Sequence, residues 1–276
     1  MNKKRARPQV ISQIIMIVTS FTILFPMYFM CINSFKSRQQ YLRDPLGWPS
    51  PLTFENFVSA FSGKDFVSWF VNSTILTVAS SAITMFIALL AGYAFAKMHF
   101  KGRDTLFRCI VPLMSVPPVA MLIPLFRMVS AFRMVNSLSS VILIYCGICL
   151  PMTIYMIRNF LISVPDSILE AARIDGCSRF RMLFSVIMPL SVPAIVTSGL
   201  VNIVWVWNEL LIALVFLQKE SLRTLVVGVT VFKSRYNLNI PVIMAGLMVV
   251  TIPMLLVYIF GQKKLVQGLM SGAVKE

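Results

Sequence analysis

Six apolar runs, each long enough to cross a bilayer, set the terms on which this chain can fold. An α-helix rises about 1.5 Å per residue, so about 20 residues cross the hydrocarbon core. Runs of that length occur at about 10–34, 70–95, 106–130, 137–159, 186–217 and 241–262, the fifth being long enough to include an interfacial start. Inside lipid the backbone must satisfy its own polar groups, and a helix does so within one segment. The expected fold class is therefore all-α, a polytopic membrane protein with six transmembrane helices. Hydrophobic residues make up 58% of the 276 and charged residues 13%, with a mean hydropathy of +0.82, which is too apolar for a soluble domain of this size. No repeat or low-complexity segment divides the chain, so one membrane domain over 1–276 is expected.

The net charge of +15 does not point to nucleic acid, because the basic residues are scattered between apolar runs. They read as topogenic charge. With the N-terminus inside, Lys3, Lys4, Arg5 and Arg7 are cytoplasmic, as are Lys97, Lys101, Arg103 and Arg108. The same holds for Arg158, Arg173, Arg179 and Arg181 and, in a tail over 263–276, for Lys263, Lys264 and Lys275. These form the majority of the 25 basic residues and put both termini in the cytoplasm, with Trp48 and Arg223 outside. The first run lacks a small-residue cleavage site and exceeds a signal core in length, so it is expected to stay as the first membrane helix.

Catalysis is not expected. Gly63-Lys64-Asp65 lacks the earlier glycine and the hydroxyl residue of a nucleotide-binding loop, and the lone histidine, His99, sits among lysines with no carboxylate nearby. Cys146 and Cys149 lie in an apolar run and read as buried small hydrophobes. Asn72-Ser73-Thr74 fits a glycosylation acceptor by pattern only.

One polar interruption carries more information than the rest. Pro165 suits a first helical turn and Asp166 favours the N-terminal dipole, so a short amphipathic helix is expected over about 165–175. Leu169, Ala172 and Ile174 would supply its apolar contacts, while Glu170 and Arg173 stay polar. Gly176 can take the positive-φ conformation that ends one helix, letting Ser178 cap the next.

This loop, Glu170-Ala171-Ala172, then Gly176, then Val186-x-Met188-Pro189, resembles the cytoplasmic EAA loop of ATP-binding-cassette importer permeases. Thr53-x-x-Asn56-Phe57, Asn72-Ser73, Trp207-Asn208-Glu209 and the tail Ser271-Gly272-Ala273-Val274-Lys275 after Gln267 extend the resemblance over nearly the whole chain. They narrow it to the carbohydrate uptake family of the first, maltose-like class, the smaller six-helix permease. The resemblance implies a coupling loop over 163–185 whose Glu170, Ala171, Ala172, Asp175, Gly176 and Pro189 serve an ATPase subunit, with Ala171 and Ala172 allowing close approach. It also implies a second ATPase contact by Gln267, Gly272 and Lys275. The implied partners are a second homologous permease, two ATPase subunits that bind ATP and magnesium, an extracytoplasmic sugar-binding protein and membrane lipid. No cofactor is expected on this chain. The implied setting is the bacterial cytoplasmic membrane and the implied cargo a sugar or oligosaccharide, with glycerol phosphate or another small polar solute as the alternative.

Glu209 is the one acid inside the expected spans, where a charge costs about 2.5–3.5 kcal/mol near the bilayer centre, so polar company must face it. Asn202, Trp205 and Glu209 can share a helical face, with Asn208 beside them. A substrate pathway and a structural bond to the partner permease both account for these residues. Ser80, Thr84, Ala88, Gly92 and Ala96 recur every four residues and suit close helix packing. Pro112, Pro117, Pro118 and Pro124 should kink or break the third span.

Overall fold

The computed structural model describes residues 6–62, 64–235 and 239–273. The chain is 82% helical, with no strand among the described residues. The long helices are α1 (Ala6–Ser34), α4 (Lys64–Lys97), α7 (Leu138–Ser163) and α14 (Ile240–Ala273); α2 (Arg38–Arg43) and α3 (Glu55–Phe61) lie between the first two. Four stretches within the long helices are apolar enough to cross a membrane alone. Two further pairs qualify only as bent units, Arg103–Ser115 with Pro118–Ala131 at 104° and Phe180–Leu190 with Val192–Asn208 at 74°. Counting each pair once gives the six expected passes.

Both bends follow from proline. In the third pass, α5 (Arg103–Ile110) tightens into a 3-10 turn (Val111–Ser115), and the extended Pro117 then starts α6 (Pro118–Ala131) in a new direction. Pro117 and Pro118 have no N–H to carry a helix across that point. In the fifth pass, α9 (Arg179–Met182) widens into a π turn (Leu183–Ile187) ahead of Pro189 in α10 (Met188–Leu190), and α11 (Val192–Asn208) restarts after Ser191. The expected continuous run 186–217 is therefore corrected at two places. It bends at Ser191, and it stops at Asn208, with α12 (Leu211–Phe216) as a separate turn. The second break has a side-chain cause, described below.

The chain divides into two compact units, 1–66 with 229–252, and 67–228 with 253–276. In the first, polar side chains tie the connection after α1 into a knot. Asn56 Nδ2 donates to Ser34 O at 2.8 Å and Lys36 O at 2.7 Å, and Lys36 Nζ donates to Asp44 O at 2.8 Å. Ser37 and Gln40 form a reciprocal capping box on α2. Thr53 Oγ1 accepts from Glu55 N at 3.3 Å just ahead of α3, whose N-cap is Phe54.

The second unit is built on α4 and α7. Ser80, Thr84 and Ala88 are at most 1% exposed, and a Cβ on Gly92 would lie 2.7 Å from Ile157 Cγ2, so the small-residue stripe is a packing surface against α7. Lipid gives no hydrophobic drive between helices, and close van der Waals contact takes its place. Trp69, Asn72 and Ser73 hold the 220–225 segment: Trp69 Nε1 donates to Glu220 O, Asn72 Nδ2 to Ser221 O and Arg223 O, and Ser73 Oγ accepts from Leu225 N. The Asn72 amide is thus committed to the fold, which leaves no role for it as a glycan acceptor. Cys146 and Cys149 are buried, as expected.

Candidate functional site

Two sets of residues singled out by the sequence are brought into defined geometry, one on the connection after α7 and one where α11 ends.

On the first, α8 (Asp166–Ile174) begins behind the extended Pro165 and carries Asp166 in its first turn. Its end is a complete Schellman motif. Gly176 sits at φ 77°, its N–H reaches Arg173 O at 3.0 Å, and Cys177 N reaches Ala172 O at 3.0 Å. Ser178 Oγ then accepts from Arg181 N at 3.3 Å, so glycine and serine play the expected parts.

The facing of α8 differs from expectation in one residue. Leu169 and Ala172 are 2% and 8% exposed and join a core with Leu89, Tyr93, Ile157, Leu161 and Met182. Ala172 thus makes the apolar contact expected of it, and Ala171 is the alanine that faces outward. Ile174, expected inside, is 87% exposed. Its position five residues after Leu169 carries it round to the other face, where Ser167, Glu170, Ala171 and Ile174 form one i, i+3, i+4, i+7 stripe, all exposed. Glu170 has no hydrogen bond or ion pair with any described residue. Asp175 and Pro189 are also exposed.

One residue that sequence reasoning left as generic topogenic charge joins this site. Lys97, the last residue of α4, reaches Val164 O and Asp166 Oδ1, each at 2.6 Å. Its side chain is 6% exposed and that of Asp166 75%. The hydrogen bond and charge of Lys97 hold the Asp166 carboxyl below the ordinary carboxylate range. A lysine closing a long apolar run was the available signal, but its partners lie 67 and 69 residues away.

At the end of α11, Glu209 is engaged through both carboxyl oxygens. Its Oε2 accepts from Tyr145 Oη at 2.7 Å and Ala213 N at 3.1 Å, and its Oε1 accepts from Ile212 N at 2.9 Å. Capping α12 in this way gives the chain a reason to leave α11 at Asn208. Tyr145 also meets Trp205 edge to face, ring centroids 5.7 Å apart. Asn202 Nδ2 donates to Thr153 Oγ1 at 3.0 Å. Asn202, Trp205 and Glu209 thus all address α7, whereas Asn208 is exposed and bonds back to Val204 O. Tyr145 escaped the sequence reading because nothing local links it to Glu209.

For the tail, Lys275 lies outside the described residues. Gln267 and Gly272 fall within α14, which runs on to Ala273, but their side chains are outside what is described.

An all-α chain with six membrane passes, two of them broken, and a capped helix that presents an acid unpaired among the described residues is of the multi-pass membrane class. The family model for the binding-protein-dependent transport system inner membrane component matches residues 84–269, and the chain belongs to that family. It is a transport subunit, not an enzyme. It is 34% identical over 253 residues to the sulfoquinovosyl glycerol transport system permease protein SmoH of Agrobacterium fabrum, with 91% of this chain and 89% of that protein covered. It is 32% identical over 260 residues to the diacetylchitobiose uptake system permease protein DasC of Streptomyces coelicolor, with 94% of each covered. Its fold is similar to a chain in the crystal structure of a bacterial ABC transporter involved in the import of alginate, with a TM-score of 0.85, 21% identity, and 95% of this chain and 98% of that one covered.

Proposed function

We propose that the chain is the permease for a sugar or oligosaccharide in an ATP-driven importer. It pairs with a second, related permease, and receives cargo from an extracytoplasmic binding protein. Two ATPase subunits bind ATP and magnesium and dock on its cytoplasmic side. Both termini and α8 are cytoplasmic in this reading. The observation that carries it is the exposed Glu170, Ala171, Ile174 stripe on a helix whose opposite face is anchored in the core. An acid with no partner among the described residues, beside an exposed apolar side chain, is arranged for a basic and apolar cleft on another subunit. Closure of the ATPases would move α8 and switch the shared cavity between inward-facing and outward-facing states. The cargo class is supported by SmoH and DasC, whose names record sulfoquinovosyl glycerol transport and diacetylchitobiose uptake.

Purification of the tagged chain with its native partners tests this directly, followed by a screen of sugars for stimulation of ATP hydrolysis. Recovery of two ATPase subunits and stimulation by a sugar are expected; a preparation without an ATPase would overturn the reading. Labelling of a single cysteine at position 170 by an impermeant thiol reagent from outside intact cells would overturn the orientation.

A further inference from the structure

We propose that Lys97 is a positioning residue of the transport cycle, the tie that makes α8 and α4 move as one body. The inference rests on reading α8 as the ATPase contact. Motion delivered to a nine-residue helix reaches the membrane passes only through its attachments. Covalently, α8 is joined to α7 by Val164 and Pro165 and to α9 by the turn after Ile174, so α4 receives nothing through the chain. Leu169 and Ala172 share one apolar cluster with the α4 residues Leu89 and Tyr93, and the attraction within such a cluster is non-directional. Lys97 adds what they lack. Its ammonium sits where α4 ends, α7 ends and α8 begins, bonded to the Val164 carbonyl and the Asp166 carboxyl together. Two directional bonds at 2.6 Å fix the position of the α8 start along the α4 axis. A cation also suits the carbonyl end of α7, and the carboxyl lets the start of α8 tolerate it.

An ion pair with one exposed partner adds little to folding stability, so its removal should leave assembly intact and alter transmission. The experiment uses the complete complex in a cysteine-free background, with spin labels at Arg173→Cys on α8 and Ile83→Cys on α4. The label separation is measured without nucleotide and with magnesium ATP and vanadate. With Lys97 present, the two distributions should coincide. In Lys97→Met, which keeps the aliphatic stem, nucleotide should shift or broaden the distribution while ATPase subunits are recovered at the normal ratio. Lys97→Arg should restore coincidence. A nucleotide-independent separation in Lys97→Met, a nucleotide-dependent one in the parent, or loss of ATPase subunits from Lys97→Met would each overturn the proposal. Should Lys97→Met fail to insert, Asp166→Asn is read in the same way, and an unchanged separation there overturns it too. Normal ATPase recovery from Glu170→Lys, by contrast, removes the docking role of α8 and leaves the measured rigidity of the α4 to α8 tie intact.

Discussion

Glu209 and Glu170 are both acids at helix-rich turns, and the chain treats them in opposite ways. Glu209 accepts three hydrogen bonds from its own chain and holds α11, α12 and α7 together. Glu170 accepts none from any described residue and faces outward beside Ala171 and Ile174. An acid so engaged is committed first to its own fold; an unengaged one on an anchored helix is available. The two even stand on different supports, since the α8 face is fixed by apolar burial beneath it, whereas the Glu209 region is fixed by the acid itself.

The largest expected effect breaks the engaged site. Glu209→Leu strands Tyr145 Oη and two backbone N–H groups, each orphan costing about 1–3 kcal/mol. Thermal unfolding of the purified chain should fall markedly. Glu209→Gln should also be destabilised, because both carboxyl oxygens accept and an amide must turn its NH₂ toward a backbone donor. Unchanged melting in both variants would show that Glu209 is not the cap of α12.

Next comes the available acid. Glu170→Lys should leave melting of the isolated chain unaltered and reduce ATPase recovery about ten- to hundred-fold, the range for a charge-assisted bond of roughly 1.5–3 kcal/mol. An Arg→Glu change in the contacting ATPase should partly restore it. If Glu170→Lys instead lowers melting as Glu209→Leu does, the contrast between the two acids collapses.

Gly176→Val sits between them. A β-branched residue at φ 77° is strained by about 1–3 kcal/mol. The variant should lose both some melting temperature and some ATPase recovery, and loss of only one would reassign the turn to the other role. The smallest effect belongs to Ile174→Ser, which should leave melting intact and weaken ATPase recovery by about five-fold, near 1 kcal/mol. No weakening would mean that the apolar end of the stripe stays in water.

What could be foreseen from the sequence was what short-range chemistry decides. The prolines of the third pass, the Gly176 turn, the Ser178 cap and the four-residue stripe in α4 all depend on neighbours within a few residues, and each is found. The facing of Ile174 depends on which core α8 packs against, and that core is assembled from α4, α7 and α9. The hold on the Glu209 carboxyl depends on Tyr145, 64 residues away, and the tie at Lys97 on a carboxyl 69 residues away. Hydropathy saw a continuous run at 186–217 because Glu209 is one polar residue in an apolar window; only its bonds show that the helix stops there.

The abrupt turn ahead of α6 has a consequence for the surrounding bilayer. Fourteen residues of α-helix reach about 21 Å, against a hydrocarbon thickness of about 30 Å, and the preceding segment turns away by 104° instead of extending that reach. The shortfall is a hydrophobic mismatch, met by thinning of the adjacent leaflet or by shielding of α6 behind longer neighbours. Acyl-chain length thereby becomes a variable of this protein's working environment, felt at the two ends of the short helix.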